Sequence, residues 1–195
     1  MSTARERILN AVRANQPAST PLPEIIIPAS EIDLSTKFTE TLNNIGGKVI
    51  AVNNYADILN YLEEATATRL LNISSIPELQ QLRTLDHIPR MPHSLQDTEL
   101  AIIKAKFGVA ENGAVWITED LLDQRVLPFI CQHLMVVLDA SSIVANMHQA
   151  YEKIGMESYG YGAFIAGPSK TADIEQSLVL GAHGSRSMTI FLINA

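Results

Sequence analysis

The chain has 195 residues, of which 47% are hydrophobic, and it carries a formal net charge of −7. This size and composition suffice for the core of one domain, and the acidic balance without a block of Lys and Arg argues against nucleic acid or an anionic membrane as partner. The single cysteine, Cys131, excludes an internal disulfide and an all-cysteine zinc or iron–sulfur site. Because no apolar run reaches about 18 residues and no secretory signal is evident, we expect no membrane span and a cytoplasmic location.

The first thirty residues predict an arm. Residues 2–15 have the apolar spacing of an amphipathic helix, and residues 16–30 hold four prolines, too many for a regular helix. The apolar side chains of this helix are Ile8, Leu9 and Val12. We therefore divide the chain into an arm, 1–30, and a domain, 31–195. Packing of the helix against its own domain is our default expectation, and docking on a partner is the alternative.

After the arm, helical and extended patterns alternate. We predict helices at 34–45, 58–62, 95–107, 143–154 and 174–180, with a short helix within 76–85. We predict strands at 48–52, 70–73, 114–118, 134–138, 163–166 and 188–193. Strands that alternate with helices indicate an α/β fold with a mostly parallel sheet flanked by helices. In such sheets ligands bind beyond the carboxyl ends of the strands.

The densest group of polar and glycine residues lies between the last two predicted strands. Gly167 and Pro168 end the strand at 163–166, and four polar residues then lead into the predicted helix 174–180. These residues are Ser169, Lys170, Thr171 and Asp173. A strand, a polar turn and a helix N-terminus together present free backbone N–H groups to an anion, and Lys170 adds a full positive charge.

The same segment continues with Gly181, which we expect to end the helix at positive φ, and with His183 and Arg186 before the last strand. We interpret the whole segment as an anion site. The alternative is structural: Ser169, Thr171 and Asp173 cap the helix, His183 lies in the core and Arg186 is a surface charge.

A second polar group surrounds Glu111, between Gly108 and the turn pair Asn112–Gly113. A carboxylate on a tight turn can act as base, nucleophile or hydrogen-bond acceptor, or can simply bond the N–H groups of its own turn. Further along the chain, Arg125 can pair with Glu111 or with an anionic ligand. The apolar neighbours of Cys131 predict a buried, unreactive thiol.

These strings together resemble the LUD-domain family, of the lactate-utilisation protein C type. The strings are Gly108-x-Ala-Glu-x-Gly113, Arg125-x-x-Pro128 with His133, Gly167-Pro-Ser-Lys-Thr-Ala-Asp-Ile-Glu175 and Gly181-x-His-Gly-x-Arg186. The resemblance covers most of residues 34–195. It implies a fold similar to the ribose-5-phosphate isomerase and CoA-transferase group. It also implies a part in bacterial oxidation of L-lactate to pyruvate beside iron–sulfur partner proteins.

The resemblance leaves the chemistry of this chain open. As a subunit without a cofactor of its own, it is expected to bind a small carboxylate through the residues named above, with Gly108, Asn112, Gly113 and Arg125 around the ligand. Glu111-Asn112-Gly113 is also similar to a Ser-Glu-Asn-Gly string of CoA-transferases, whose glutamate is the nucleophile, although Ala110 replaces the serine. An acyl- or CoA-transferase and a non-catalytic adaptor are therefore the alternatives.

Overall fold

A five-stranded parallel sheet forms the centre of the domain. The computed structural model describes residues 3–21, 23, 33–66, 72–85, 87–170, 181 and 183–194. The parallel strands are β1 (Lys48–Val52), β2 (Asn72–Ser74), β3 (Leu100–Lys104), β6 (His133–Asp139) and β8 (Ser187–Ile193). Their order across the sheet is β1-β8-β6-β3-β2. The predicted α/β fold with a mostly parallel sheet is confirmed.

The predicted helix at 95–107 is wrong. The segment forms a short 3₁₀ turn, Pro92–Leu95, and then β3, a central strand between β2 and β6. Leu100, Ile102 and Ile103 are fully buried. A strand covered on both faces reads as a continuous apolar run, and such a run also satisfies helical spacing.

A second sheet of three antiparallel strands lies against one face of the first, which the sequence did not predict. It consists of β4 (Phe107–Val109), β5 (Ala114–Thr118) and β7 (Gly162–Ile165), in the order β4-β5-β7. Val115 and Ile117 of β5 share a core with β3, β6 and β8 of the parallel sheet. The predicted strand at 114–118 therefore forms where expected but belongs to a different sheet, and β7 in the same sheet is half-buried.

The described residues form five α-helices. They are α1 (Ala4–Ala14), α2 (Leu34–Asn44), α3 (Tyr55–Thr66), α4 (Leu127–Ile130) and α5 (Met147–Ile154). All but α1 pack on the two sheets. Phe38 and Leu42 of α2 pack on the face that also carries β5, whereas Ile58 and Leu62 of α3 pack on the opposite face. The segment 76–85 forms a 3₁₀ helix, Pro77–Leu82.

The helix α5 starts later than predicted, at Met147, because the side chain of Asn146 caps it by accepting the Gln149 N–H. It packs Ala150 and Ile154 on the outer face of the second sheet, against Phe107 and Trp116. The molecule is thus layered as α3, parallel sheet, second sheet with α2, and α5.

The helix α1 forms as predicted but buries none of its residues. A capping box between Thr3 and Glu6 starts it. Its apolar side chains Ile8, Leu9 and Val12 are exposed, so the expected packing against its own domain is absent from the described part of the chain. No helix within the described residues has the length and apolar character needed to cross a membrane.

Candidate functional site

The turn after β7 lies at the amino ends of the parallel strands. The Ser169 N–H donates to the Ser185 carbonyl at 2.9 Å, and the Arg186 N–H donates to the Gln132 carbonyl at 2.8 Å. Ser185 and Gln132 directly precede the starts of β8 and β6. Our expectation of a site beyond the carboxyl ends is therefore wrong for this turn, because the antiparallel β7 delivers it to the opposite end of the sheet.

Glycines allow this turn to close tightly. Gly167 adopts φ 71°, and a Cβ there would lie 3.2 Å from the Ile45 carbonyl oxygen. Gly181 adopts φ 78°, and a Cβ there would clash with Cγ of Arg186, whose side chain therefore lies over Gly181. A Cβ on Gly184 would lie 3.1 Å from Cβ of Ser169. The predicted positive φ of Gly181 is confirmed, and any larger residue at these positions would push the turn open.

The charged side chains of this segment face solvent. Lys170, His183 and Arg186 are exposed. Ser169, which precedes Lys170, is half-buried. Thr171, Asp173 and the predicted helix 174–180 lie outside the described residues. We use "amino-end turn" below for residues 167–170 together with 181 and 183–186.

The turn that carries Glu111 forms as a tight connection between β4 and β5. Gly113 adopts φ 69°, and the Asn112 side chain accepts the Ala114 N–H at 3.0 Å. Gly108 is buried, and a Cβ there would lie 2.8 Å from Leu138. The exposed carboxylate of Glu111 accepts a hydrogen bond at 2.8 Å from the backbone N–H of Met147, the first residue of α5. Glu111 thus binds the N-terminus of α5 rather than the N–H groups of its own turn.

The Glu111 turn and the amino-end turn are neighbours at one end of the second sheet. Val115 of β5 pairs with Ile165 of β7, so Gly113 and Gly167 both lie just beyond this pair, at the same end of the two strands. Gly113 packs on Leu42 and Gly167 packs on Ile45, both at the end of α2.

Proximity of the turns does not by itself join their side chains. Among the residues the structure describes, no hydrogen bond or ion pair links Glu111 with Lys170, His183 or Arg186. A single cleft shared by all four stays a prediction.

Arg125 pairs with Glu119 rather than with Glu111. The other oxygen of Glu119 accepts the Gly160 N–H at 2.7 Å, and the guanidinium lies 5.9 Å from the centre of the Tyr161 ring. Burial raises the pKa of the Tyr161 hydroxyl, and the charge of Arg125 partly opposes this. The suggested pair with Glu111 does not form, because the chain reversal after β5 places Glu119 next to Arg125.

A cavity lies at the carboxyl ends of β2 and β3, where open α/β sheets usually bind ligands. It has a volume of about 310 Å³ and is lined by polar residues that include Ser75, Lys104 and Asp120. The pKa of Asp120 is lowered, first by a hydrogen bond from Lys106 and then by one from Thr118. No sequence pattern predicts this cavity, because its residues come from four separate segments.

A polar row at the amino ends of β3, β6 and β8 was also missed. His133 Nδ1 lies 2.7 Å from Ser187 Oγ, and His133 Nε2 lies 3.5 Å from a carboxylate oxygen of Glu99. In the sequence, His133 stood out only as part of the string with Arg125 and Pro128. The sequence does contain a signal for this row: one polar residue precedes or begins each of three apolar runs. Parallel pairing of the three strands brings these polar residues side by side.

Comparisons with known proteins agree with this architecture. A model of the LUD domain matches residues 35–193. A "Lactate utilization protein C" from Bacillus pumilus is 30% identical over 100 residues, which cover 48% of this chain and 42% of that protein. A protein of the same name from Halalkalibacterium halodurans is 24% identical over 143 residues, 64% of this chain and 62% of that protein. The chain thus spans about half the length of these relatives.

A solved structure shares the fold. The crystal structure of a DUF162 family protein from Deinococcus radiodurans has a TM-score of 0.63, with 15% sequence identity, and the match covers 85% of this chain and 99% of that one.

Proposed function

The chain belongs to the LUD domain family, and from this premise we propose that it is a cytoplasmic subunit that takes part in L-lactate oxidation to pyruvate by binding a small carboxylate. Relatives that carry the name lactate utilization protein C match this chain over about half of their own length. The amino-end turn is the observation that carries the proposal, because it combines a glycine-lined backbone with exposed Lys170 and Arg186.

Charge supports an anionic ligand at this turn. The whole chain carries a net charge of −7, yet this turn holds two cations, Lys170 and Arg186, that form no ion pair with a carboxylate of the described residues. Arg186 has a forked guanidinium that binds a carboxylate with two parallel hydrogen bonds, and Lys170 supplies a point charge. A 2-hydroxy acid or 2-oxo acid offers both a carboxylate and a second oxygen, which the hydroxyl of Ser169 or the imidazole of His183 can contact.

Oxidation of a 2-hydroxy acid releases two electrons, and partner proteins with iron–sulfur clusters are proposed to accept them. A single cysteine cannot supply the four thiolates of a cluster. The subunit's own contribution is then to hold the substrate carboxylate and orient the carbon to be oxidised.

Titration of lactate and of pyruvate against the purified chain tests this proposal. We expect Lys170→Ala to raise Kd about ten- to a hundredfold, because one charge-assisted contact contributes about 1.5–3 kcal/mol. Lys48→Ala is the matched control: this lysine is also exposed, but its Nζ is bonded to the Tyr61 hydroxyl at 3.3 Å. Equal dissociation constants for wild type and Lys170→Ala, or an equal loss in both variants, would contradict a site at the amino-end turn.

The transferase alternative depends on Glu111. Its exposed position favours access, but one of its oxygens already binds the N–H of Met147, which is a structural role. A hydroxylamine-sensitive adduct on Glu111 after incubation with an acyl-CoA would favour the transferase. A stable complex with iron–sulfur partners that forms equally well with Lys170→Ala, together with no binding of either acid, would favour the adaptor.

A further inference from the structure

Three polar residues stand in a row where three neighbouring parallel strands begin. His133 pairs with Leu100 of β3 on one side and with Ser187 of β8 on the other, and Glu99 directly precedes Leu100. The backbone N–H of His133 also donates a hydrogen bond to the backbone carbonyl of Glu99 at 2.8 Å. The central sheet therefore fixes the backbones of all three residues.

Their side chains form a connected line. Ser187 Oγ lies 2.7 Å from His133 Nδ1, and Glu99 lies 3.5 Å from His133 Nε2. A proton on Nε2 is favoured, because an Nε2 lone pair would face the Glu99 carboxylate. In that tautomer Nδ1 is unprotonated and accepts the hydroxyl proton of Ser187. This is the arrangement of nucleophile, base and orienting carboxylate that activates a serine.

The line is open to small molecules. The side chain of His133 is 30% exposed and that of Glu99 is 40% exposed, and Ser187 is half-buried. Arg186, which immediately precedes Ser187, is exposed and supplies the nearest cation along the chain. A hydrogen bond needed only for folding does not require this access.

We propose that Ser187 is an acyl-accepting nucleophile, with His133 as its general base and Glu99 as the residue that positions the imidazole. Ser187 Oγ attacks the carbonyl carbon of an activated acyl ester or thioester while its proton moves to His133 Nδ1. The bond from the acyl carbon to the leaving oxygen or sulfur breaks, and the leaving group takes the proton from His133. The product is an ester of Ser187, and water releases the acid by the same steps.

Labelling of the full chain with p-nitrophenyl acetate tests the proposal. We expect a rapid release of about one equivalent of nitrophenol, followed by slower release as water hydrolyses the ester, and an acetyl group on Ser187 that peptide mass spectrometry locates after an acid quench. Ser187→Ala removes this adduct, whereas Ser94→Ala, which changes an exposed serine in a 3₁₀ turn, leaves it unchanged. His133→Gln lowers the labelling rate by about a hundredfold, since positioned general bases contribute about 10²–10⁴-fold.

The labelling rates of two Glu99 variants show whether this residue positions the imidazole of His133 or has only a structural role. Glu99→Asp keeps most of the labelling rate, while Glu99→Gln loses about tenfold because the imidazolium that forms has no carboxylate partner. The wild-type protein alone can refute the proposal. No adduct on Ser187, or the same labelling rate in the urea-unfolded chain, means that the row is a cross-strand hydrogen bond and no more. An unchanged rate in folded His133→Gln has the same meaning.

Discussion

At the scale of the residue, the environment of Cys131 decides its chemistry. The side chain is 1% exposed and lies in the main core, and burial raises the pKa of its thiol to about 12. A thiol that stays protonated is a poor nucleophile. The buried location that the sequence predicted for this thiol is confirmed.

Stability should therefore fall in alkaline solution. The unfolded thiol ionises near pH 8.5, below the folded pKa, so its contribution is complete below about pH 8.5 and is lost as pH rises toward the folded value. The loss reaches at most about 1.4 kcal/mol per pH unit in this window. Urea unfolding at several pH values, for wild type and for Cys131→Ala, measures it. The decline should be shallower in the variant, and parallel curves would show that the thiol does not contribute.

Glycine and turn positions were predictable from the sequence, but side-chain partners were not. Gly113 and Gly181 adopt the positive φ that their strings indicated. In contrast, the carboxylate of Glu111 binds the N–H of Met147, 36 residues away. Such a contact depends on how α5 packs on the second sheet, and no local pattern encodes that.

At the scale of the element, β3 separates the two main cores, because its side chains point alternately into one core and the other. Ile103 belongs to the core shared with α2 and β5, and Ile102 belongs to the core shared with α3. Both side chains are fully buried. The apolar pattern marked this segment as buried, but it did not distinguish a two-faced strand from a helix, because the number of covered faces is a tertiary property.

Truncation on either face of β3 should therefore be costly. We expect Ile102→Ala and Ile103→Ala each to lower the free energy of unfolding by about 2–5 kcal/mol, since each leaves a cavity in a packed core. Lys104→Ala, at the exposed end of the same strand, should change it by less than about 0.5 kcal/mol. Chemical denaturation of the three variants provides the test. A large loss from only one of the isoleucines would contradict burial on both faces.

At the scale of the whole molecule, the arm and the domain differ in what they bury. The helix α1 has no buried residue, whereas every strand of the parallel sheet except β1, one of its two edge strands, contains several. The boundary between arm and domain near residue 30 remains a prediction from the prolines.

Removal of residues 1–30 tests that boundary. Because α1 has no buried residue, we expect Tm to change by less than about 2 °C, while helical circular dichroism falls. The substitution Leu9→Glu in the full chain is the matched control, and it should leave Tm equally unchanged. A drop of several degrees in either protein would mean that α1 packs on the domain in solution.

The order of the strands also bears on how the protein is made. β8 lies between β1 and β6 and follows the other four strands of this sheet in the chain, so it joins two parts of the sheet that are made before it. Until residues 187–193 leave the ribosome, β1 lacks its parallel partner and β6 exposes an unpaired edge. Unpaired edges invite association between chains. We therefore expect a chain that lacks residues 187–193 to aggregate more readily than the whole chain.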